Sequence, residues 1–156
     1  MKITLLAVGK TREAYLKEGQ NEYLKRLFRY VPFEYRELPD VKGKNLKEEQ
    51  IREKEAERII RSIPAGDRII LFDERGEQYS SEGLARWLQR QMMEGSRNIC
   101  LVIGGPYGFS SRVRKAADQE LSLSRLTFSH QMVRLIILEQ LYRAFTILKG
   151  EPYHHS

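Results

Sequence analysis

Long apolar runs are missing from this chain of 156 residues. No stretch approaches the ~20 apolar residues that a helix needs to cross a bilayer. Residues 1–10 superficially resemble a leader, but their apolar part is too short and no small-residue cleavage site follows, so they read as a first strand. Cysteine is nearly absent. The lone Cys100 lies inside the apolar run 98–103, cannot form an intramolecular disulfide, and reads as an inert hydrophobe rather than a nucleophile. Three histidines without a cysteine partner give no metal-ligand spacing, so no metal site is expected. The first strand ends in Gly9-Lys10-Thr11, with neither a second glycine nor a glycine upstream at P-loop spacing. That disfavours an ordinary Rossmann dehydrogenase or ATPase. Internal repeats and low-complexity segments are also lacking. A single cytoplasmic domain of residues 1–156, with no membrane association, fits these absences.

What the chain has in excess is positive charge. A net charge of +6 and a pI near 9.5 suggest a polyanionic partner. Lys and Arg are scattered rather than gathered in a tail, so any electrostatic footprint must be assembled by the fold. Strand and helix patterns alternate. Residues 2–8, 67–72 and 98–103 are near-continuous apolar runs, as in parallel strands covered on both faces, whereas residues 33–38 alternate and suit a place nearer an edge. A helix over 15–30 places Leu16, Tyr23 and Leu27 on one face. Asn45 is placed to cap a charged helix over 46–62, with Glu48 at the capping-box position and Glu48–Arg52 and Glu57–Arg61 as i,i+4 pairs. Ser80 or Ser81 caps a helix in which Leu84, Trp87, Leu88 and Met92 face the core. Residues 39–45 form a surface loop. The fold class is α/β, an open, mostly parallel sheet with crossover helices.

Three late segments concentrate the functional signals. Gly104-Gly105-Pro106-Tyr107-Gly108 follows an apolar strand, and ligands of open α/β sheets bind beyond the carboxyl ends of strands. Bare glycine backbone there admits a ligand, although a turn needing positive φ at Gly108 would read the same way. Next, Ser122, Ser124 and Thr127 alternate with Leu121, Leu123, Leu126 and Phe128, offering polar backbone and apolar walls together. The helix over 131–149 is apolar nearly all round, which asks for cover on more than one side, from the sheet and from a two-fold partner. Glu139–Arg143 is an available pair within it. Asp73 either binds a ribose hydroxyl or closes the loop 73–76.

These blocks resemble the RlmH family of SPOUT-class methyltransferases, also called YbeA-like proteins. The matching residues are 1–9, Val102-Ile103-Gly104-Gly105-Pro106 with Gly108, residues 123–128, His130, Leu141-Tyr142-Arg143-Ala144-Phe145 and Pro152-Tyr153-His154. The likeness spans essentially the whole chain. It implies a C-terminal trefoil knot, with the knotted cofactor-binding part over roughly 68–156, a fold that no local pattern shows. It implies S-adenosylmethionine, held largely by backbone at Phe72, Gly104, Leu123, Ser124, Arg125, Leu126, Thr127 and Phe128. It also implies a homodimer, with the late helix in its interface. The implied reaction is methylation of N3 of a pseudouridine in 23S ribosomal RNA on the assembled ribosome. His130, Arg134, Tyr142, Tyr153 and His154 are the candidates for the substrate side, with a helix-start role open for His130 and a packing role for Tyr142. His155 stands where some relatives carry Arg or Lys. Another RNA target, or a ribosome-associated factor without catalysis, are the alternatives.

Overall fold

A computed structural model describes residues 1–95 and 97–155, along which strands and helices alternate. The elements are β1 (Ile3–Val8), α1 (Ala14–Leu27), β2 (Phe33–Leu38), α2 (Glu48–Ser62), β3 (Arg68–Gln78), α3 (Ser81–Met93), β4 (Ile99–Ile103), α4 (Ser111–Ala116), β5 (Gln119–Ser122) and α5 (Met132–Lys149). They build one five-stranded sheet in the order β2-β1-β4-β3-β5, and every pairing is parallel.

The near-continuous apolar runs become the three central strands because each must be apolar on both faces. Ile3, Leu5, Ala7, Ile70, Ile99, Leu101 and Ile103 point to one side, into a core shared with α1, α3 and α5. Leu6, Val8, Leu71, Cys100 and Val102 point to the other, where Ala56 and Ile59 of α2 and Val113 of α4 cover them. Cys100 is fully buried, and burial pushes its thiol up to about 12, so it is an inert core residue as its setting in the sequence suggested. The alternating β2 lies at a sheet edge, as expected.

At the other edge stands β5, four residues too short to carry a strand pattern distinct from the loop that follows. Its position depends on β3, whose register is broken: Phe72 and Glu77 both align with Leu121, so Asp73, Glu74, Arg75 and Gly76 bulge out between them. A Cβ at Gly76 would lie 2.6 Å from the backbone carbon of Leu121, so only glycine lets the two chains close up here.

Helix boundaries bring several corrections. Asn45 does not cap α2; it sits before the helix at φ 64, a left-handed conformation that asparagine tolerates. The cap is Lys47, whose backbone N–H donates to Gln50 Oε1 at 2.9 Å. Neither Glu48–Arg52 nor Glu57–Arg61 forms an ion pair among the described residues. Arg52 instead reaches the Tyr107 carbonyl at 3.4 Å. Ser80 caps α3, accepting from the Gly83 N–H at 3.0 Å, and Leu84, Trp87 and Leu88 are buried as expected. Met92 is exposed rather than core; Gln91 takes the inward position in that turn and accepts from Arg68. Helix α5 lies between α1 and α3, buries Ile137, Leu138, Leu141, Ala144 and Phe145, and stops at Gly150 in a left-handed cap at φ 68.

Candidate active site

The carboxyl ends of β3 and β4 open into a cavity of about 910 Å³, within the range of small-molecule sites. Phe72 and Asp73 from β3 and the turn from Ile103 to Ser110 form its floor. Ser122, Leu123, Ser124, Leu126, Phe128, Ser129 and His130 supply one wall, and Glu48, Glu49, Arg52 and Glu53 of α2 supply another. A smaller cavity of about 320 Å³ shares Phe72, Ser122, Leu123 and Phe128 and continues between Leu84 and Ile136.

The glycine turn has little room for side chains. A Cβ on Gly104 would meet the Phe109 ring at 3.1 Å, and one on Gly105 would stand 2.5 Å from Glu55 Oε2. Gly108 adopts φ +77 and closes the turn through its N–H to the Gly105 carbonyl at 3.1 Å. Gly108 thus answers a backbone need, while Gly104 and Gly105 leave bare backbone on the cavity.

The loop after β5 is organised by its own hydroxyls. Ser122 Oγ donates to the Ser124 carbonyl, and Ser124 Oγ accepts from the Leu126 N–H, each at 3.0 Å. Leu126 is thereby left 70% exposed on the cavity rim. Ser129, rather than His130, caps the start of α5 by accepting from the Met132 N–H at 3.0 Å. Asp73 closes its bulge by accepting from the Arg75 N–H and pairs with Arg114, both at 2.9 Å. Burial raises its proton affinity, but these partners outweigh that and hold the carboxyl below the usual range. Arg114 also binds Glu120 and lies over the Phe109 ring, bracing the floor of the cavity.

His130 lines the cavity and is half-buried. Burial first, then the Arg134 and Arg12 cations, lower its proton affinity, with Asp40 opposing, so the ring is neutral at pH 7. Arg134 has no exposed surface at all. Its guanidinium donates to the carbonyls of Gly9 (2.6 Å), Val8 (2.8 Å) and His130 (3.0 Å) and pairs with Glu37 at 3.1 Å. It is a clasp between α5 and the end of β1, and it offers a substrate no surface. Gln131 reinforces the clasp, accepting from the Arg12 N–H and donating to the Lys10 carbonyl.

Tyr153 and His154 lie elsewhere. Tyr153 donates to Glu139 at 3.0 Å and packs edge-on against Tyr142 with centroids 4.7 Å apart. His154 sits 3.1 Å from Arg143 and 2.9 Å from Glu82 of α3, and the expected Glu139–Arg143 pair closes at 2.5 Å. Of the residues singled out from sequence, Phe72, Gly104, Leu123, Ser124, Leu126, Phe128 and His130 converge on the cavity. Arg125 and Thr127 are exposed and outside its lining, and Arg134, Tyr142, Tyr153 and His154 are not brought to it within one subunit. The α2 wall and Arg114 were not foreseen, because only the crossover packing carries them there. Among the described residues no cluster of metal-ligating side chains occurs, and no helix is long and apolar enough to cross a membrane.

A cavity at the carboxyl ends of a parallel sheet, floored by glycines and walled by the loop after the last strand, agrees with what comparison with known proteins finds. The family model described as "Predicted SPOUT methyltransferase" matches residues 1–154, and the chain belongs to that family. The fold is shared with solved structures of low identity. A tRNA (m1G37) methyltransferase from Aquifex aeolicus superposes with a TM-score of 0.54 at 16% identity, over 100% of this chain and 76% of that one. A probable methylase family protein from Haemophilus influenzae Rd KW20 gives 0.53 at 12%, over 95% and 66%. Within the family, the chain is 49% identical over 157 residues to ribosomal RNA large subunit methyltransferase H of Parabacteroides distasonis, covering 100% of both chains. The protein of that name from Flavobacterium johnsoniae is 50% identical over 157 residues, again covering 100% of both.

Proposed function

We propose that this protein transfers a methyl group from S-adenosylmethionine to large-subunit ribosomal RNA, at N3 of a pseudouridine on the assembled ribosome. The observation that carries this reading is the glycine-floored cavity in a chain that matches large-subunit ribosomal RNA methyltransferases from end to end. The residues present suit the cofactor. Bare backbone at Gly104 and Gly105 and the polar backbone of residues 123–128 can meet an adenosine by hydrogen bonds, while Phe72, Leu123 and Phe128 supply apolar walls. Arg125 and Thr127 would contribute through their main chain, since neither side chain faces the cavity.

The cofactor, when bound, supplies a methyl group activated on a positively charged sulfur. The protein's part is positioning and proton handling. Neutral His130 on the cavity wall offers a ring nitrogen to the proton that N3 must lose. Arg134 acts one step back: by holding the His130 carbonyl and the end of β1 it fixes where that ring stands. Tyr153 and His154 would reach a substrate only from the partner of a homodimer, with α5 at the interface, so the proposed active site is completed by two subunits. The return of the chain from β5 at the sheet edge to the Arg134–β1 clasp is the proposed threaded segment of a trefoil knot.

The test is transfer of labelled methyl from S-adenosylmethionine to ribosomes, separated subunits and naked ribosomal RNA from cells lacking the gene. N3-methylpseudouridine on assembled ribosomes alone is the expected product. Label on tRNA or on a ribose would overturn the substrate, and absence of cofactor binding would overturn the enzyme.

A further inference from the structure

Glu55 holds the one buried side-chain oxygen, Oε1, that lacks a hydrogen-bond partner among the described residues. The residue is 4% exposed, on α2, and its carboxyl group presses against Gly105 from behind. Gly105 itself lines the main cavity. Only a glycine without a side chain thus separates an unpartnered carboxyl from the ligand space.

The groups around Glu55 do not compensate it. Asp40, after β2, adds a second carboxyl. Arg58, the α2 cation that opposes its protonation, is directed to the carbonyls of Pro39 and Asp40, each at 2.7 Å. The end of β1 brings Gly9 and an exposed Lys10. On α4, which packs against α2, Arg114 is paired with Asp73 and Glu120, and Arg112 and Lys115 are exposed. Burial, and then Asp40, push the Glu55 carboxyl up to about 7, with Arg58 opposing. A buried carboxylate is costly unless a positive charge lies near, and the cavity that Gly105 lines is a place where a ligand could bring one.

We propose that Glu55 is the counter-charge for a cationic ligand in the main cavity, and the group that takes up a proton when that charge is lost. This rests on the methyl-transfer reading. In that reaction the sulfur keeps the electron pair of its broken bond to the methyl carbon. The acceptor nitrogen uses its own pair for the new bond and gives up its proton. The proton leaves N3 for His130 and then solvent, while Glu55 takes one proton up from solvent, so a sulfonium and a carboxylate become a thioether and a carboxylic acid, and net charge is conserved. Glu55 does not touch the substrate; it stabilises the charge state of the cavity through the Gly105 backbone.

Calorimetric titration of the intact protein with S-adenosylmethionine and with its thioether product, S-adenosylhomocysteine, tests this. Each titration is repeated in buffers of different ionisation enthalpy across a pH series. Near pH 7 the thioether should bind with more proton uptake than the sulfonium, by a sizeable fraction of a proton per site. In Glu55→Gln that difference should vanish, and affinity for the sulfonium should fall relative to the thioether by about tenfold, the equivalent of one pKa unit. Equal proton uptake for both ligands in the wild-type protein would overturn the proposal, as would a difference that survives in Glu55→Gln. The wild-type series stands without the variant, should that variant fold poorly. Failure of either ligand to bind the wild-type protein would instead overturn the methyl-transfer reading on which the proposal rests.

Discussion

Gly105 and Glu55 meet at one contact, and each can be perturbed separately. In Gly105→Ala the new methyl group must displace the Glu55 carboxyl, which it would otherwise approach to 2.5 Å. Cofactor affinity is expected to fall by an order of magnitude or more, while thermal stability changes by a few degrees at most. Calorimetry and a melting curve on the same preparation check the two halves. Glu55 itself ties stability to pH. Its folded-state pKa of about 7 lies above the ordinary 4.5, so the unfolded chain releases this proton first. The contribution is fully present below about pH 4.5 and is lost as pH rises to about 7. Urea unfolding should show Glu55→Gln gaining on the wild type over that window by on the order of 2 kcal/mol. An equal gain at both ends of the window would contradict the assignment. The contact of Gly105 with Glu55 was not legible in the sequence: Gly104-Gly105 advertised a ligand turn, but nothing local announces that a residue some fifty positions earlier lies behind it.

At the scale of elements, legibility followed how local the governing interaction is. Ser80 was readable as a cap because its partner, Gly83, lies within the same turn. Ser80→Ala should cost about 1 kcal/mol in denaturant unfolding without altering ligand affinity. The central strands were readable from apolar runs and β2 from its alternation. Asn45 misled because its αL conformation belongs to the preceding loop, and β5 was missed because four residues paired to a broken register carry no pattern of their own. Helix α5 was legible as buried, but not the flanking α1 and α3 that pack against it. Arg134 was legible as an embedded cation needing partners, yet four of its hydrogen bonds go to Val8, Gly9, Thr11 and Glu37. Arg134→Ala should destabilise the fold by about 3 kcal/mol, leaving Glu37 without its cation. The pKa of His130, followed by NMR, should rise toward its ordinary value, since Arg134 is one of the two cations holding it down.

The whole molecule carries its excess of positive charge without a tail, and most cationic side chains remain on the surface. Lys42, Lys44 and Lys47 stand on the exposed loop before α2, beside the wall of the main cavity. Reversing all three together should weaken binding to ribosomes and flatten its dependence on salt, measured by co-sedimentation at several ionic strengths; unchanged affinity throughout would remove this loop from the docking surface. The overall architecture could be inferred from alternating patterns, whereas the order of the strands could not, because pairing between β1 and β4 joins segments nearly a hundred residues apart. Distribution of the candidate residues between the cavity and the far side of α5 is likewise a property of the assembled molecule alone.

The clasp of Arg134 on Val8 and Gly9 also bears on how the protein comes into being. β1 is completed by a helix whose closing cation comes 125 residues after Gly9, so for much of its synthesis β1 holds neither its neighbour β4 nor that cation. Contacts of such long sequence separation form late, and the nascent chain is expected to stay unfinished until α5 has emerged. Productive folding then waits for α5, and this small domain is expected to fold slowly for its size.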